Sequence, residues 1–122
     1  MSRIRSKNTK IETRVFSRLR KDKVYFQKHY KKAPGSPDLA WPMKKRAVFI
    51  DGDFWHGYQF NKMKKRLPNA YWLEKIETNI KRDRRNRRKM MYLGWKYIRI
   101  WEHEIEKDFE LAIKKIKLLL KD

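Results

Sequence analysis

Ala47-Val-Phe-Ile-Asp-Gly-Asp-Phe-Trp-His-Gly57 begins as an apolar, β-branched run and ends in an acid, two adjacent large aromatics and a histidine. The first half reads as a buried strand, Arg46–Ile50, because short apolar runs bounded by turn residues fit strands covered on both faces. Gly52 and Gly57 bracket the loop that follows, which runs on to Pro68. Upstream, Ser36-Pro37-Asp38 places a second acid at a turn, just before a short strand Asp38–Trp41. If these two strands are neighbours, Asp38 and Asp51 meet at one end of a sheet.

The remaining segments arrange themselves around that strand. Thr9 with Glu12 has the spacing of a capping box, and Ile11, Val15, Phe16 and Leu19 follow helical spacing to about Arg20. Val24–Tyr30 reads as a strand and Lys31–Pro37 as a turn rich in Pro and Gly. Pro42–Lys45 is a further turn. Ala70–Leu93 is a long helix with Gly94 as its C′ residue. Trp95–Trp101 is a strand. From about Ile105 a last helix carries Phe109, Ile113, Ile116 and Leu120 on one face. The order is α-β-β-β-α-β-α: a mixed sheet flanked by helices in a single α/β domain spanning 1–122, with 1–8 as a basic arm.

The chain has 122 residues, 34 Lys and Arg against 14 Asp and Glu, and a net charge of +20. Such an excess fits a polyanionic partner, with double-stranded DNA as the leading candidate. Aromatics at 14% exclude a merely disordered basic tail. The absence of cysteine excludes disulfides, thiolate zinc sites and thiol catalysis. No apolar run approaches the roughly 20 residues of a membrane span, and no apolar h-region follows the basic start. The expectation is a cytoplasmic, nucleoid-associated monomer of bacterial type without a membrane partner.

Phosphodiester hydrolysis requires charge neutralisation at the phosphate, an activated water and a stabilised leaving oxygen. Magnesium prefers oxygen ligands and keeps several waters, so one or two carboxylates suffice. Asp38 and Asp51 supply them, with the Ile50 carbonyl as a further oxygen. Read alone, Asp38 is equally a turn acid after Pro37, and Asp51 an Asp-Gly turn. His56 is the candidate proton-transfer group near neutral pH; His29 and His103 lack such a context and are read as structural. Glu12 and Asp83 both fall on apolar helix faces, where an acid costs free energy unless paired or liganded. Support of the metal site or orientation of His56 would account for them. So would the capping box for Glu12, and for Asp83 an ion pair with a neighbouring arginine.

Lys81-Arg-Asp-Arg-Arg-Asn-Arg-Arg-Lys89 holds seven basic residues in nine. A charge run is commonly only a solvated face, but this density repels itself unless phosphates neutralise it. Phe54, Trp55 and Trp72 are either core aromatics or wedges that stack among bases.

Several ordered blocks resemble the very-short-patch repair (Vsr) endonucleases. They are Arg3-Ile-Arg-Ser-Lys-Asn-Thr-Lys10 with Glu12, Pro37-Asp38, Val48-Phe-Ile-Asp-Gly-Asp-Phe-Trp-His56, Tyr71-Trp-Leu-Glu-Lys75 with Asn79, Arg82-Asp-Arg84, Leu93-Gly-Trp95 and Ile100-Trp-Glu102. The resemblance implies the restriction-endonuclease-like (PD-(D/E)xK-type) fold and magnesium-dependent nicking of one DNA strand beside a T·G mismatch, with one or two Mg2+ ions. It makes Asp38 the shared metal carboxylate, helped by the Ile50 carbonyl, with Asp51 a further candidate ligand or proton-transfer partner. It puts His56 near the attacking water, Asp83 bonded to His56, and Glu12 behind metal-bound water. Phe54, Trp55 and Trp72 would enter the DNA. Lys75 and Asn79 would face base edges, with Arg82, Arg84, Arg85, Arg87 and Arg88 on the duplex. Mismatch-repair proteins are candidate partners.

Three departures stand out. Many relatives hold a structural zinc, but the matching positions here are Asp53, Tyr58, Phe60 and His103, so no zinc is expected. The position of Asp51 is histidine in some members. The chain starts at Met1 where relatives carry a DNA-gripping segment, which implies a minimal enzyme or a different clamp. Two other readings stay open: a restriction or homing-type nuclease without mismatch specificity, and a non-catalytic DNA-binding module.

Overall fold

The computed structural model describes residues 10–52 and 70–121. The elements are α1 (Lys10–Lys21), β1 (Gln27–Lys28), β2 (Leu39–Trp41), β3 (Arg46–Asp51), α2 (Ala70–Tyr92), β4 (Lys96–Trp101), α3 (Glu102–Lys107) and α4 (Phe109–Lys121). The sheet order is β1-β2-β3-β4. β1/β2 and β2/β3 pair antiparallel, whereas β3/β4 pair parallel. This is the mixed α/β architecture expected from the sequence.

β3 is central, and its apolar run is explained by burial on both faces. Val48 and Ile50, with Ile98 and Ile100 opposite them on β4, join the larger core with Val15, Phe16 and Leu19 of α1 and Ile113 and Ile116 of α4. Ala47 and Phe49, with Tyr97, face the other way and pack around Met90 of α2. Each such aliphatic side chain contributes roughly 1.5–3 kcal/mol when fully buried. α1 is tied to α4 at the surface, where Arg18 meets Glu110 at 2.6 Å and Lys117 meets Asp22 at 2.7 Å.

α2 stops where the sequence places its stop. Gly94 has φ +87°. Its N–H donates to the Met91 carbonyl at 3.0 Å, and the Trp95 N–H donates to Met90 at 3.0 Å. These are the paired bonds of a Schellman motif, which needs a left-handed residue at C′.

Three expectations are corrected. The strand expected over Val24–Tyr30 shrinks to Gln27–Lys28. It pairs only with Leu39 and Ala40 of the short β2, which leaves no partner for a longer ladder. The last helix is broken in two, because the Asp108 carboxylate accepts the Leu111 N–H at 3.1 Å and starts a new helix. On that helix Leu119, rather than Leu120, is the buried position.

Candidate active site

The turn leading into β2 is built to place Asp38. Ser36 N–H donates to the Ala33 carbonyl at 3.1 Å, with Pro34 and Gly35 at the centre. Gly35 takes φ +81°, and a Cβ there would lie 3.1 Å from the Phe49 ring and 3.3 Å from Asn86 of α2. Glycine is therefore required twice, by conformation and by space. The chain then returns beside β1: His29 N–H donates to the Asp38 carbonyl at 3.0 Å and Tyr30 N–H to Pro37 at 2.9 Å. Ile50 N–H donates to Asp38 Oδ2 at 2.7 Å. The carboxylate is thus pinned to the end of β3, one residue from Asp51.

Two further groups converge on it. Glu12 lies on the buried face of α1 with Val15, Phe16 and Leu19, and only 2% of it is exposed. His29 adopts φ +49°, a left-handed conformation unusual for a residue with a Cβ. That conformation turns its ring edge-on to Phe16, with centroids 5.8 Å apart. His29 Nε2 then lies 3.1 Å from Glu12 Oε1 and 3.9 Å from Asp38 Oδ1. One ligand atom from each of Glu12, His29 and Asp38 lies within 4.8 Å of the others. Burial pushes the Asp38 carboxyl well above the usual carboxylate range, and the neighbouring Glu12 raises it further despite the Ile50 N–H.

Two carboxylates and an imidazole at this separation fit a divalent cation. The carboxylates suit magnesium or manganese, and the imidazole adds affinity for first-row transition ions. The sequence reading treats His29 as structural; the geometry brings it to Asp38 and Glu12, which makes it a candidate ligand as well. Its signal in the sequence is weak, a histidine in a polar segment nine residues before Asp38.

Asp51 heads a second centre. Its carboxylate pairs with Arg99 Nε from the adjacent strand β4. A second nitrogen of the same guanidinium, Nη2, lies 3.5 Å from Asp83 Oδ2 on α2. The guanidinium carbon also lies over the Trp101 ring, 4.3 Å from its centroid. Asp83 therefore has an arginine partner, but on β4 rather than in the basic run of its own helix. His56, its expected partner, lies outside the described residues, as do Phe54 and Trp55. Arg99 carries no distinguishing mark in the sequence, where it stands between two core isoleucines.

Along α2, Lys75, Arg82, Arg84, Arg85 and Arg88 are exposed, and Asn79 and Arg87 are half-buried. Trp72 is half-buried, its ring edge against Tyr71 with centroids 4.9 Å apart. Among the described residues no helix is long and apolar enough to cross a membrane.

The chain also resembles known proteins. A family model described as "DNA mismatch endonuclease Vsr" matches residues 1–62. Type II nicking enzyme V.XorIIP of Xanthomonas oryzae pv. oryzae is 37% identical over 108 residues, covering 86% of this chain and 78% of that protein. Type II nicking enzyme V.NmeDIP of Neisseria meningitidis serogroup C is 29% identical over 120 residues, covering 97% and 81%. DNA mismatch endonuclease Vsr of Escherichia coli is 33% identical over 103 residues, covering 84% and 66%.

Proposed function

Because the chain belongs to the Vsr family of DNA mismatch endonucleases, we propose that it nicks one strand of duplex DNA at or beside a T·G mismatch, with magnesium at a centre built on Asp38. The observation that carries this reading is the Asp38 carboxylate, held by the Ile50 N–H at 2.7 Å and faced by Glu12 and His29. A buried acid pushed toward its protonated form is poorly placed as a mere surface group, and a divalent cation would favour its charged state.

When bound, the cation supplies charge neutralisation at the scissile phosphate and an activated water. The residues of the chain do the rest. Asp38 would hold the ion, with Glu12, His29 and the Ile50 carbonyl as further candidate ligands. Asp51 and Asp83, joined through Arg99, form the adjoining acceptor pair. His56 is the proposed proton-transfer group. The exposed arginines of α2 take phosphates and set the register, while Lys75 and Asn79 face base edges. Phe54, Trp55 and Trp72 are the proposed wedge at the mismatch, where unstacking costs a few kcal/mol per step and is smallest at an already weakened pair.

The direct test compares strand-labelled T·G-mismatched and fully matched duplexes, with and without magnesium. Magnesium-dependent nicking of one strand, in the mismatched duplex only, is the expected result. Equal rates on both duplexes would favour a second reading, nicking without mismatch preference; the nicking-enzyme names of several relatives fit either reading.

A further inference from the structure

We propose that Arg99 is a positioning residue of the nicking centre, which holds Asp51 and Asp83 as a fixed acceptor pair and keeps Asp51 out of the metal's ligand set. The proposal rests on the reading of Asp38 as the metal carboxylate.

The sheet register makes the arrangement possible. β3 and β4 run parallel, with Phe49 opposite Arg99 and Asp51 opposite Trp101. Side chains two apart share a face of a strand, so Arg99 lies diagonally across from Asp51 and on the face that α2 covers. From there the guanidinium reaches Asp51 through Nε and Asp83 through Nη2. Arg99 Cζ lies over the ring of Trp101, next but one along β4, 4.3 Å from its centroid. Contacts from β3, α2 and its own strand thus fix the position of the cation.

The chemistry gives that constraint a consequence. A guanidinium keeps its charge at any pH the protein survives, and its planar fork suits carboxylates. Asp51 is buried, with 9% of its side chain exposed, so its charge requires a close partner. Arg99 provides one. A metal ion on Asp51 would have to share the carboxylate with that guanidinium, cation beside cation, or displace it and leave Arg99 with Asp83 at 3.5 Å. Asp38 is held differently: its carboxylate accepts the Ile50 N–H and meets Glu12 and His29, and the Asp51 charge acts on it as a weaker neighbour. The two acids at the sheet end therefore divide their work, Asp38 for the metal and Asp51 for the arginine.

The test is Mn2+ binding to the full chain without DNA, followed by the electron paramagnetic resonance signal of free Mn2+. Asp38→Asn is expected to weaken binding by at least about tenfold, and Asp51→Asn to leave the affinity within about twofold. Arg99→Met, which releases Asp51, is expected to add a second Mn2+ or to tighten the first. An Asp51→Asn variant as weak as Asp38→Asn overturns the proposal while leaving the metal centre standing. So does an Arg99→Met variant that folds, by circular dichroism, and binds as wild type does. If Arg99→Met does not fold, Asp51→Asn decides alone. Binding indifferent to Asp38→Asn defeats the metal-centre reading, and this proposal with it.

Discussion

The backbone N–H of Ile50 donates to Asp38 Oδ2 at 2.7 Å, joining the acid that precedes β2 to the end of β3. One bond across neighbouring strands thereby fixes where a metal would sit relative to Asp51. The Asp38 carboxyl, raised by burial and by Glu12, sets the pH behaviour. A group whose folded pKa lies above its unfolded value stabilises the fold fully below the ordinary carboxylate range. That stability is lost as pH rises through the raised value. Asp38→Asn keeps an acceptor for the Ile50 N–H and removes the buried charge. Urea denaturation of the metal-free protein at neutral pH should therefore show the variant more stable than wild type, by about 1–3 kcal/mol. Wild-type metal affinity should run the opposite way, falling toward acid pH as Asp38 takes up its proton.

His29 lies 3.1 Å from Glu12 and 3.9 Å from Asp38. His29→Ala should weaken Mn2+ binding roughly 10–100-fold while the far-ultraviolet circular dichroism stays unchanged. Unchanged affinity in a folded variant would remove His29 from the centre.

Gly35 combines φ +81° with a backbone so close to Phe49 that an added Cβ would lie 3.1 Å from its ring. Gly35→Ala should destabilise the chain by at least about 1 kcal/mol in urea denaturation. Because the same turn delivers Asp38, the variant's metal affinity should fall as well, at temperatures where it remains folded.

Exposed Arg84, Arg85 and Arg88 share α2. If each neutralises a phosphate, replacing all of them with alanine should lower the slope of log K against log salt by roughly 0.9 per lost contact. A fluorescence-anisotropy titration at several salt concentrations measures it; an unchanged slope would place the DNA elsewhere.

Much of this architecture is legible in the residues. The run Ala47–Ile50 announces a strand covered on both faces, and Pro37-Asp38 before a short strand puts an acid beside it. Gly94 marks the end of α2. What escapes has physical reasons. His29 reaches the centre only through a left-handed backbone conformation and a two-residue strand, neither of which leaves a periodic signal. Arg99 alternates correctly with Ile98 and Ile100, but its importance comes from Asp51 and Asp83, distant in sequence and brought near by the parallel register. The break at Asp108 lies within a run of good helix formers, where a side-chain cap competes with continuation.

The measurement closest to the central claim is single-turnover nicking of a T·G-mismatched duplex by wild type and Asp38→Ala, each at saturating protein with magnesium. Wild type is expected to cut one strand, and Asp38→Ala to be slower by at least about a thousandfold with DNA affinity within about threefold of wild type. Nicking by Asp38→Ala at the wild-type rate would contradict the assignment of Asp38 as the metal carboxylate.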